Sequence, residues 1–525
     1  MPQTQQEHPI PAAGTYSPAY GSALEPVAAT PVDEVAQVVL NARQAQGAWA
    51  ALPLKERVAA VKAFARRVLE RHEEIVAIIS SETGKSATEV LVNEVSGINE
   101  YAAIAAKEAA EALKPTRVAM SMVAYPGKRA VVEMVPRGVV GIIAPWNYPL
   151  SIFFKPLFPA LLSGNAVVLK PSEYTPRTGA WLAEQCAATL PAGLVQVVQG
   201  AGEVGAALLE SGIDAVVFTG SVATGKKIAA RAGELLIACS IELGGKDAAI
   251  VLQDCNMERT VVGIGQWAFH NCGQNCAAIE RVYVEDAIAD EFVARLGRLA
   301  DKLRVAPEAE FCELGPLQNH LQRDIVEAHV KDALAKGATL VAGGERAQSG
   351  LGYRPTVLDH CTHAMEVVTE ETFGPVIAVV RVKDADEAVR LANDAKYGLN
   401  GSVWTRNLRR GEQLARRLEV GIALVNNHAI TGALANVPWT GVKDTGTGIA
   451  ASRFSYPTYV RPRTIFVDRN TKADPWWFPA NADLHELGKT LIAFSLGNLG
   501  AAFKLAKIAS RRVKAIEVLA RNNEA

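Results

Sequence analysis

The chain has 525 residues, 54 Lys and Arg against 55 Asp and Glu, and 49% apolar content. That length fits about two to four domains and several buried cores without disulfide or metal staples. A net charge of −1 excludes a globally basic nucleic-acid binder, and a 21% charged fraction excludes a mostly disordered chain. One local imbalance remains. From Leu487 to Ala525 seven basic residues (Lys489, Lys504, Lys507, Arg511, Arg512, Lys514, Arg521) face two acidic ones (Glu517, Glu524).

Seven cysteines without any CxxC pair give neither a disulfide framework nor zinc-ribbon spacing. No metal is expected. Met1 to Gln6 is polar, without the basic and apolar regions of a secretory leader. One long uncharged run, Gly138 to Phe154, has 17 residues and contains Pro145, Asn147 and Pro149. A spanning helix needs about 20 apolar residues without such breakers, so the run reads as a buried strand entering a loop. A cytoplasmic location is expected.

In chain order, residues 1–30 read as an N-terminal arm rich in Pro, Ala and Ser. Helical spacing marks Pro31–Trp49 and Leu54–Ser80, the latter through Val58, Val61, Phe64, Val68 and Ile75. Gly84 ends the second helix, and Asn93–Leu113 reads as a third. Val118–Tyr125 and Arg129–Val135 flank Pro126-Gly127 and predict a β-hairpin. From Val139 short apolar runs alternate with helical stretches: Val139–Ala144, Ala166–Lys170, Val195–Val198, Ala215–Phe218, Ile237–Leu243 and Ala248–Leu252. The alternation predicts βαβ units and a parallel sheet. A second such region runs from Val282 to Val425, with helices over Asp290–Leu303 and Gln322–Lys336 and strands at Val376–Val382 and Ile422–Val425.

Several segments could carry chemistry. Gly200-Ala-Gly-Glu-Val-Gly205 matches a dinucleotide fingerprint literally, but no acidic residue ends a second strand at the right distance, so it reads as a strand-to-helix turn. Phe218-Thr-Gly-Ser-Val-Ala-Thr-Gly225 opens a helix and suits either a pyrophosphate or a plain N-cap. Glu242 ends an apolar strand before Gly244-Gly245, where burial would make it a general base. Cys272 and Cys276 flank a Gly-Gln turn, and either could be a nucleophile or a small core residue. Asn147 lies between Pro145 and Pro149, as a turn residue or a rigid oxyanion donor.

Taken together, Ala144-Pro-Trp-Asn-Tyr-Pro149, Lys170-Pro-Ser-Glu173, Phe218-Thr-Gly-Ser221, Glu242-Leu-Gly-Gly245, Gly273-Gln-Asn-Cys276 and Glu371-Thr-Phe-Gly-Pro375 resemble the NAD(P)-dependent aldehyde dehydrogenase superfamily, in its order and with its 34-residue step from Glu242 to Cys276. The resemblance covers Pro31 to Asp468. It implies Cys276 as nucleophile, Glu242 as base and Asn147 as oxyanion donor. It also implies a cofactor site of Pro145, Trp146, Lys170, Ser172, Glu173, Gly220, Ser221, Gly244, Glu371 and Phe373. A Glu173 carboxylate accepts from a ribose 2′-OH and repels a 2′-phosphate, which favours NAD; Lys170 beside it leaves NADP as the alternative.

The implied fold is α/β: two Rossmann-like domains with parallel sheets, a β-hairpin oligomerisation element and a helical C-terminal extension. Its expected parts are 31–116 with 137–243 for the cofactor, 244–454 for catalysis, 117–136 with 455–468 for assembly into a homodimer or homotetramer, and 469–525 as the extension. A CoA-acylating dehydrogenase is a second reading, opposed by Glu242; a non-catalytic binding or structural homologue is a third, opposed by the intact Cys276, Glu242 and Asn147.

Two departures from the family pattern stand out. Where many relatives carry Pro-Phe-Gly-Gly and then Ser-Gly-x-Gly-Arg-Glu, this chain has Pro438-Trp-Thr-Gly441 and Thr445-Gly-Thr-Gly-Ile-Ala450. The segment Asn426 to Pro438 holds no Arg or Lys to capture a substrate carboxylate, so an uncharged or lipophilic aldehyde is expected. Beyond Asp468, Asp474-Pro-Trp-Trp-Phe-Pro479 reads as an aromatic anchor packed on the main body. Leu487–Val518 reads as helix interrupted at Gly497 and Gly500, docking on protein or touching an anionic membrane surface peripherally.

Overall fold

The computed structural model describes residues 16–121, 125–305, 311–348 and 350–521. The chain divides into two units, Met1–Lys114 with Met134–Arg461, and Pro115–Glu133 with Pro462–Ala525. Residues 1–15 of the expected arm and part of the expected hairpin, 122–124, lie outside the described residues, as do 522–525 of the extension.

The first unit holds two sheets. One is wholly parallel, in the order Val195–Val197, Ala166–Lys170, Val139–Ile143, Ala215–Thr219, Ala238–Glu242. Val139–Ile143 and Ala166–Lys170 are buried at every position, as a sheet covered on both faces requires. The chain starts in the middle, moves outward to Val195–Val197, then returns to the other side with Ala215–Thr219. That reversal creates a switch point beside Val139–Ile143, where a crevice opens at the carboxyl ends of the strands.

The second sheet runs Thr339–Ala342, Thr356–Asp359, Val376–Val382, Ile279–Glu285, Asp247–Val251, Asn400–Trp404, Ile422–Val425. Only its edge strand Thr339–Ala342 is antiparallel. Each sheet anchors its own apolar core. Glu242 ends the last strand of the first sheet, and five residues later Asp247 begins a strand of the second. The carboxyl edge of one sheet therefore feeds directly into the amino edge of the other.

Several expected boundaries shift. Leu54–Ser80 is two helices, Leu54–Glu70 and His72–Thr83, because Arg71 leaves helical geometry at φ −111°. The first helix begins at Val35 after a turn of 3₁₀ helix. The third begins at Ile98, since Leu91–Val95 forms a π-turn and Glu94 is drawn inward to Lys85. Gly84 does end its helix, at φ +73°; a Cβ there would lie 2.4 Å from the Pro316 ring.

In the second unit the first hairpin strand is only Thr116–Arg117, paired with Val131 and Val132 of Lys128–Pro136. Tyr125 belongs to the turn instead. Its N–H donates to Ser121 O and its carbonyl accepts from Lys128 N, so those groups need no ladder partner. Val460–Asp468 completes the sheet as an exposed edge. The extension is a helical hairpin, Ala482–Ser495 and Ala501–Arg521, broken where Gly497 takes φ +94°. The aromatics of the anchor segment, Trp476, Trp477 and Phe478, are exposed. That segment is held by its backbone: buried Arg512 donates to the carbonyls of Pro475, Trp477 and Pro479. No helix among the described residues is long and apolar enough to cross a membrane.

Candidate active site

The meeting of the two sheet edges brings three distant segments together. Glu242 comes from the end of a parallel strand. Cys276 comes from the turn before Ile279–Glu285, and Asn147 from the loop after Val139–Ile143.

Cys276 Sγ lies 3.7 Å from Glu242 Oε1. Cys276 is part-exposed, whereas Cys272 is 1% exposed and lies in the core of the second sheet. Burial pushes both thiols up, and the carboxylates of Glu242 and Glu89 raise Cys276 and Cys272 respectively. The turn between them is sharp. Asn271 and Cys272 both take φ +55°, and Gly273 takes φ +70° with Gly374 O only 2.0 Å from where a Cβ would stand. A side chain at position 273 cannot coexist with the Glu371–Pro375 segment.

Asn147 donates from Nδ2 to Gln274 O at 3.1 Å, tying its loop to the Cys276 turn. Its own carbonyl accepts from Lys85 Nζ at 2.5 Å and Asn271 Nδ2 at 3.0 Å. Lys85 is paired with Glu94, which also receives the Leu150 N–H. This buried scaffold was invisible in the sequence, where Lys85 and Glu94 look like ordinary surface charges.

Glu242 has two further neighbours that sequence reasoning missed. Trp439 Nε1 donates to Glu242 Oε1 at 2.5 Å, and Lys155 Nζ sits 4.3 Å from the centroid of the Trp439 ring. Burial raises Glu242, while Lys155, Trp439 and Cys276 pull it back down. Trp439 packs with Ala277, Leu399, Ile422, Leu424 and Ala429, against which Cys276 and Trp267 also rest. The thiol thus borders an apolar wall. Nearby His270, stacked on Tyr148, is pushed down to about 4 by burial and is neutral.

The expected cofactor residues gather along the switch-point crevice. Pro145, Trp146, Lys170, Ser172, Glu173, Gly220 and Ser221 all lie at or just beyond the carboxyl ends of adjacent strands. Lys170 Nζ meets Glu173 Oε2 at 3.3 Å. Ser221 caps the helix Val222–Glu234, whose first turn holds no acidic residue; such a terminus favours an anion. Trp146 and Phe373 meet edge to face, centroids 5.6 Å apart. Glu371 accepts the Gly245 N–H at 3.0 Å, and its carboxylate would stand 2.2 Å from a Cβ at Gly244. Buried Glu280 holds this segment by accepting the Thr372 and Phe373 N–H groups and pairing with Lys246. A phosphate-attracting helix start, a carboxylate beside a lysine and a glycine-backed acid fit the parts of a dinucleotide. The Gly200–Gly205 run lies apart, as the turn into the helix Gly202–Glu210 after the edge strand.

Comparison with known proteins decides the family. The aldehyde dehydrogenase family model matches residues 6–465. This chain belongs to the aldehyde dehydrogenase family. A Mycobacterium ulcerans protein provisionally named succinate-semialdehyde dehydrogenase [NADP(+)] 2 is 38% identical over 463 residues, covering 86% of this chain and 88% of that one. The 4,4'-diapolycopene aldehyde oxidase of a Methylomonas species is 37% identical over 470 residues, covering 88% and 87%. The NAD+ complex of aldehyde dehydrogenase from Bacillus cereus superimposes with a TM-score of 0.83 at 31% identity, covering 87% of this chain and 94% of that one. The enzyme is an NAD(P)-dependent aldehyde dehydrogenase.

Proposed function

We propose that this aldehyde dehydrogenase oxidises an uncharged, lipophilic aldehyde to the carboxylic acid through a covalent Cys276 adduct that Glu242 hydrolyses. The observation that carries this reading is the 3.7 Å contact between the Cys276 thiol and a buried carboxylate. Glu242 takes the thiol proton. Sulfur then bonds the aldehyde carbon, and the carbonyl pair moves to oxygen as the thiohemiacetal forms. A primary amide carries two N–H groups; Asn147 uses one for Gln274 O, and the other, with the Cys276 backbone N–H, receives the oxyanion. NAD(P)+, when bound, would supply the hydride acceptor for this oxidation, and Cys276 would then carry the acyl group as a thioester. Once Glu242 has passed the thiol proton to solvent it removes a proton from water, the hydroxide oxygen bonds the acyl carbon, and the C–S bond breaks to release the acid and return Cys276 as its thiolate. Splitting one hard reaction into two accessible ones is what a nucleophilic thiolate offers.

For the cofactor, Ser221 and the adjoining helix start hold the pyrophosphate, with Gly220 allowing close approach. Lys170 and Glu173 would hold the adenine ribose, with Pro145, Trp146 and Ser172 lining the site; Glu371 and Phe373, backed by Gly244, would hold the nicotinamide ribose. Glu173 favours NAD. The apolar wall around Trp439 supports a lipophilic substrate, and among the described residues the cation beside Glu242, Lys155, is already stacked on Trp439. Steady-state NADH formation from an aldehyde panel varying chain length and charge, with NAD or NADP and with or without CoA, tests this. Long uncharged aldehydes should give the highest kcat/KM without CoA. An absolute need for CoA would establish the acylating reaction instead, and preference for semialdehyde acids would overturn the substrate class.

Three features support placement and assembly. Ile465 and Phe466 are exposed on the edge strand Val460–Asp468, which suits a homodimer or homotetramer. Seven free cysteines suit the reducing cytoplasm. The C-terminal hairpin supports peripheral contact with anionic lipid: Leu496, Leu499 and Phe503 are 84%, 79% and 82% exposed at its tip. Of the six cations between Leu487 and Ile516, Arg512 is buried and Lys504 and Arg511 pair with Glu486 and Asp483, which leaves Lys489, Lys507 and Lys514 to meet a negatively charged interface. Co-sedimentation with phosphatidylglycerol-containing vesicles, lost in L496S/F503S, is the expected result; equal partitioning of both proteins would remove the idea.

A further inference from the structure

We infer that Trp439 is a positioning residue for Glu242, its indole N–H holding Oε1 beside the Cys276 sulfur while its ring seats the Lys155 ammonium. The inference rests on the proposed role of Glu242 and adds the groups through which that role is set.

One oxygen carries the arrangement. Glu242 Oε1 receives the Trp439 indole N–H at 2.5 Å and faces the Cys276 thiol at 3.7 Å. A charge-assisted hydrogen bond of that length fixes both the position and the direction of its acceptor. The donor is itself fixed. Trp439 is 4% exposed, wedged in the apolar cluster with Leu399, Ile422 and Leu424, and Gly432 closes on its ring at 3.1 Å from where a Cβ would stand. Its register partner across the short sheet is Ala450, which brings no carboxylate of its own. The indole N–H therefore reaches Glu242 unchallenged from that strand.

The charged and titratable groups facing Glu242 are few. Cys276 approaches from the nucleophile turn, Lys155 from the helix Ser151–Leu162, Trp439 from its strand, and Tyr101 from the helix Ile98–Ala112. Burial alone drives Glu242 toward its neutral form, which could not accept a proton from thiol or water. Lys155 and the Trp439 N–H oppose that drift. The ring also gives Lys155 its seat, 4.3 Å from the centroid, so one side chain both orients the carboxylate and places the cation.

Trp439→Phe keeps the ring under Lys155 and removes only the N–H. The expected result is a kcat about tenfold or more lower, with the pH at which the Glu242-dependent limb of kcat rises moved upward and the KM for NAD unchanged. Lys155→Met should move the limb the same way with the indole intact, and it decides the matter if W439F fails to fold, as judged by its melting curve. Glu242→Gln must lose turnover; an active E242Q would overturn the reading of Glu242 itself. In the E242Q background, W439F should cost nothing more. If E242Q is inactive while W439F and K155M keep the wild-type kcat and pH limb, the positioning role is wrong.

Discussion

Cys276 Sγ and Glu242 Oε1 are 3.7 Å apart although 34 residues separate them in the chain. The contact exists because a strand of one sheet ends where the second sheet begins, and the turn carrying Cys276 leads into the strand beside it. A thiol and a carboxylate so placed can exchange a proton. They can also share a water once the sulfur is acylated. The second use is separable from the first in time. Glu242→Gln is expected to slow the single-turnover burst of NADH, since the thiol loses its base, and to lower steady-state turnover by more, about 10²–10⁴-fold, the usual span for general-base catalysis. Stopped-flow absorbance with a saturating aldehyde measures both phases. Equal loss of burst and steady state would place Glu242 only in thiol activation.

The two cysteines of the turn should behave oppositely. Cys276→Ser should abolish dehydrogenase turnover, since a hydroxyl is a far poorer nucleophile at neutral pH. Cys272 is buried in the second core. Cys272→Ser should keep kcat within about threefold and lower stability by about 1–3 kcal/mol, the cost of burying an unpaired hydroxyl. Urea denaturation alongside steady-state kinetics distinguishes the two; turnover lost in C272S would reverse the assignment.

In the proposed cofactor site the choice between NAD and NADP would turn on Glu173, held 3.3 Å from Lys170. Removing the carboxylate frees the lysine and ends the repulsion of a 2′-phosphate. Glu173→Gln should raise the ratio of kcat/KM for NADP over NAD by about tenfold or more, as expected for changing one close charge contact. An unchanged ratio would mean the adenine ribose lies elsewhere.

Buried Lys246 and Glu280 pair beneath the Thr372–Phe373 segment. Removing one partner strands the other charge in a dry site. Lys246→Met is expected to cost about 3–5 kcal/mol of stability, and to raise the KM for NAD because Phe373 loses its anchor. Chemical denaturation and cofactor titration report the two effects separately. A loss under about 1 kcal/mol would show that Glu280 simply takes up a proton when alone.

The parts of the molecule that a local pattern specifies were legible in the sequence. Ala166–Lys170, Val376–Val382 and Ile422–Val425 form strands with the expected bounds; the first two are short, largely apolar runs, as a doubly covered strand needs. The break at Arg71 and the π-turn at Leu91–Val95 escaped, since each preserves an apolar face that periodicity reads as unbroken. Within the site, residues in Gly-rich turns announced themselves. Lys155, Trp439, Lys85, Glu94 and the Lys246–Glu280 pair did not. Their meaning comes from neighbours in space: Trp439 reaches an oxygen 197 residues away, and nothing in the local sequence of either residue encodes that.

Glu371 gives a pH dependence whose sign can be worked out. Burial, reinforced by the nearby Glu280 carboxylate, pushes it up to about 8 from an ordinary value near 4.5. Between those two values the unfolded chain has released the proton and the folded enzyme still holds it. Folding therefore takes up a proton, and raising the pH through this window lowers stability from this group; above about pH 8 the loss is complete. Glu371→Gln keeps an acceptor for the Gly245 N–H, which now lies 3.0 Å from Oε1, and cannot titrate. Its melting temperature relative to wild type should rise steadily between pH 5 and about pH 8–9. Thermal melts of both proteins across that range are the measurement. A difference independent of pH would mean that Glu371 is already ionised in the folded enzyme, with Lys246 outweighing burial.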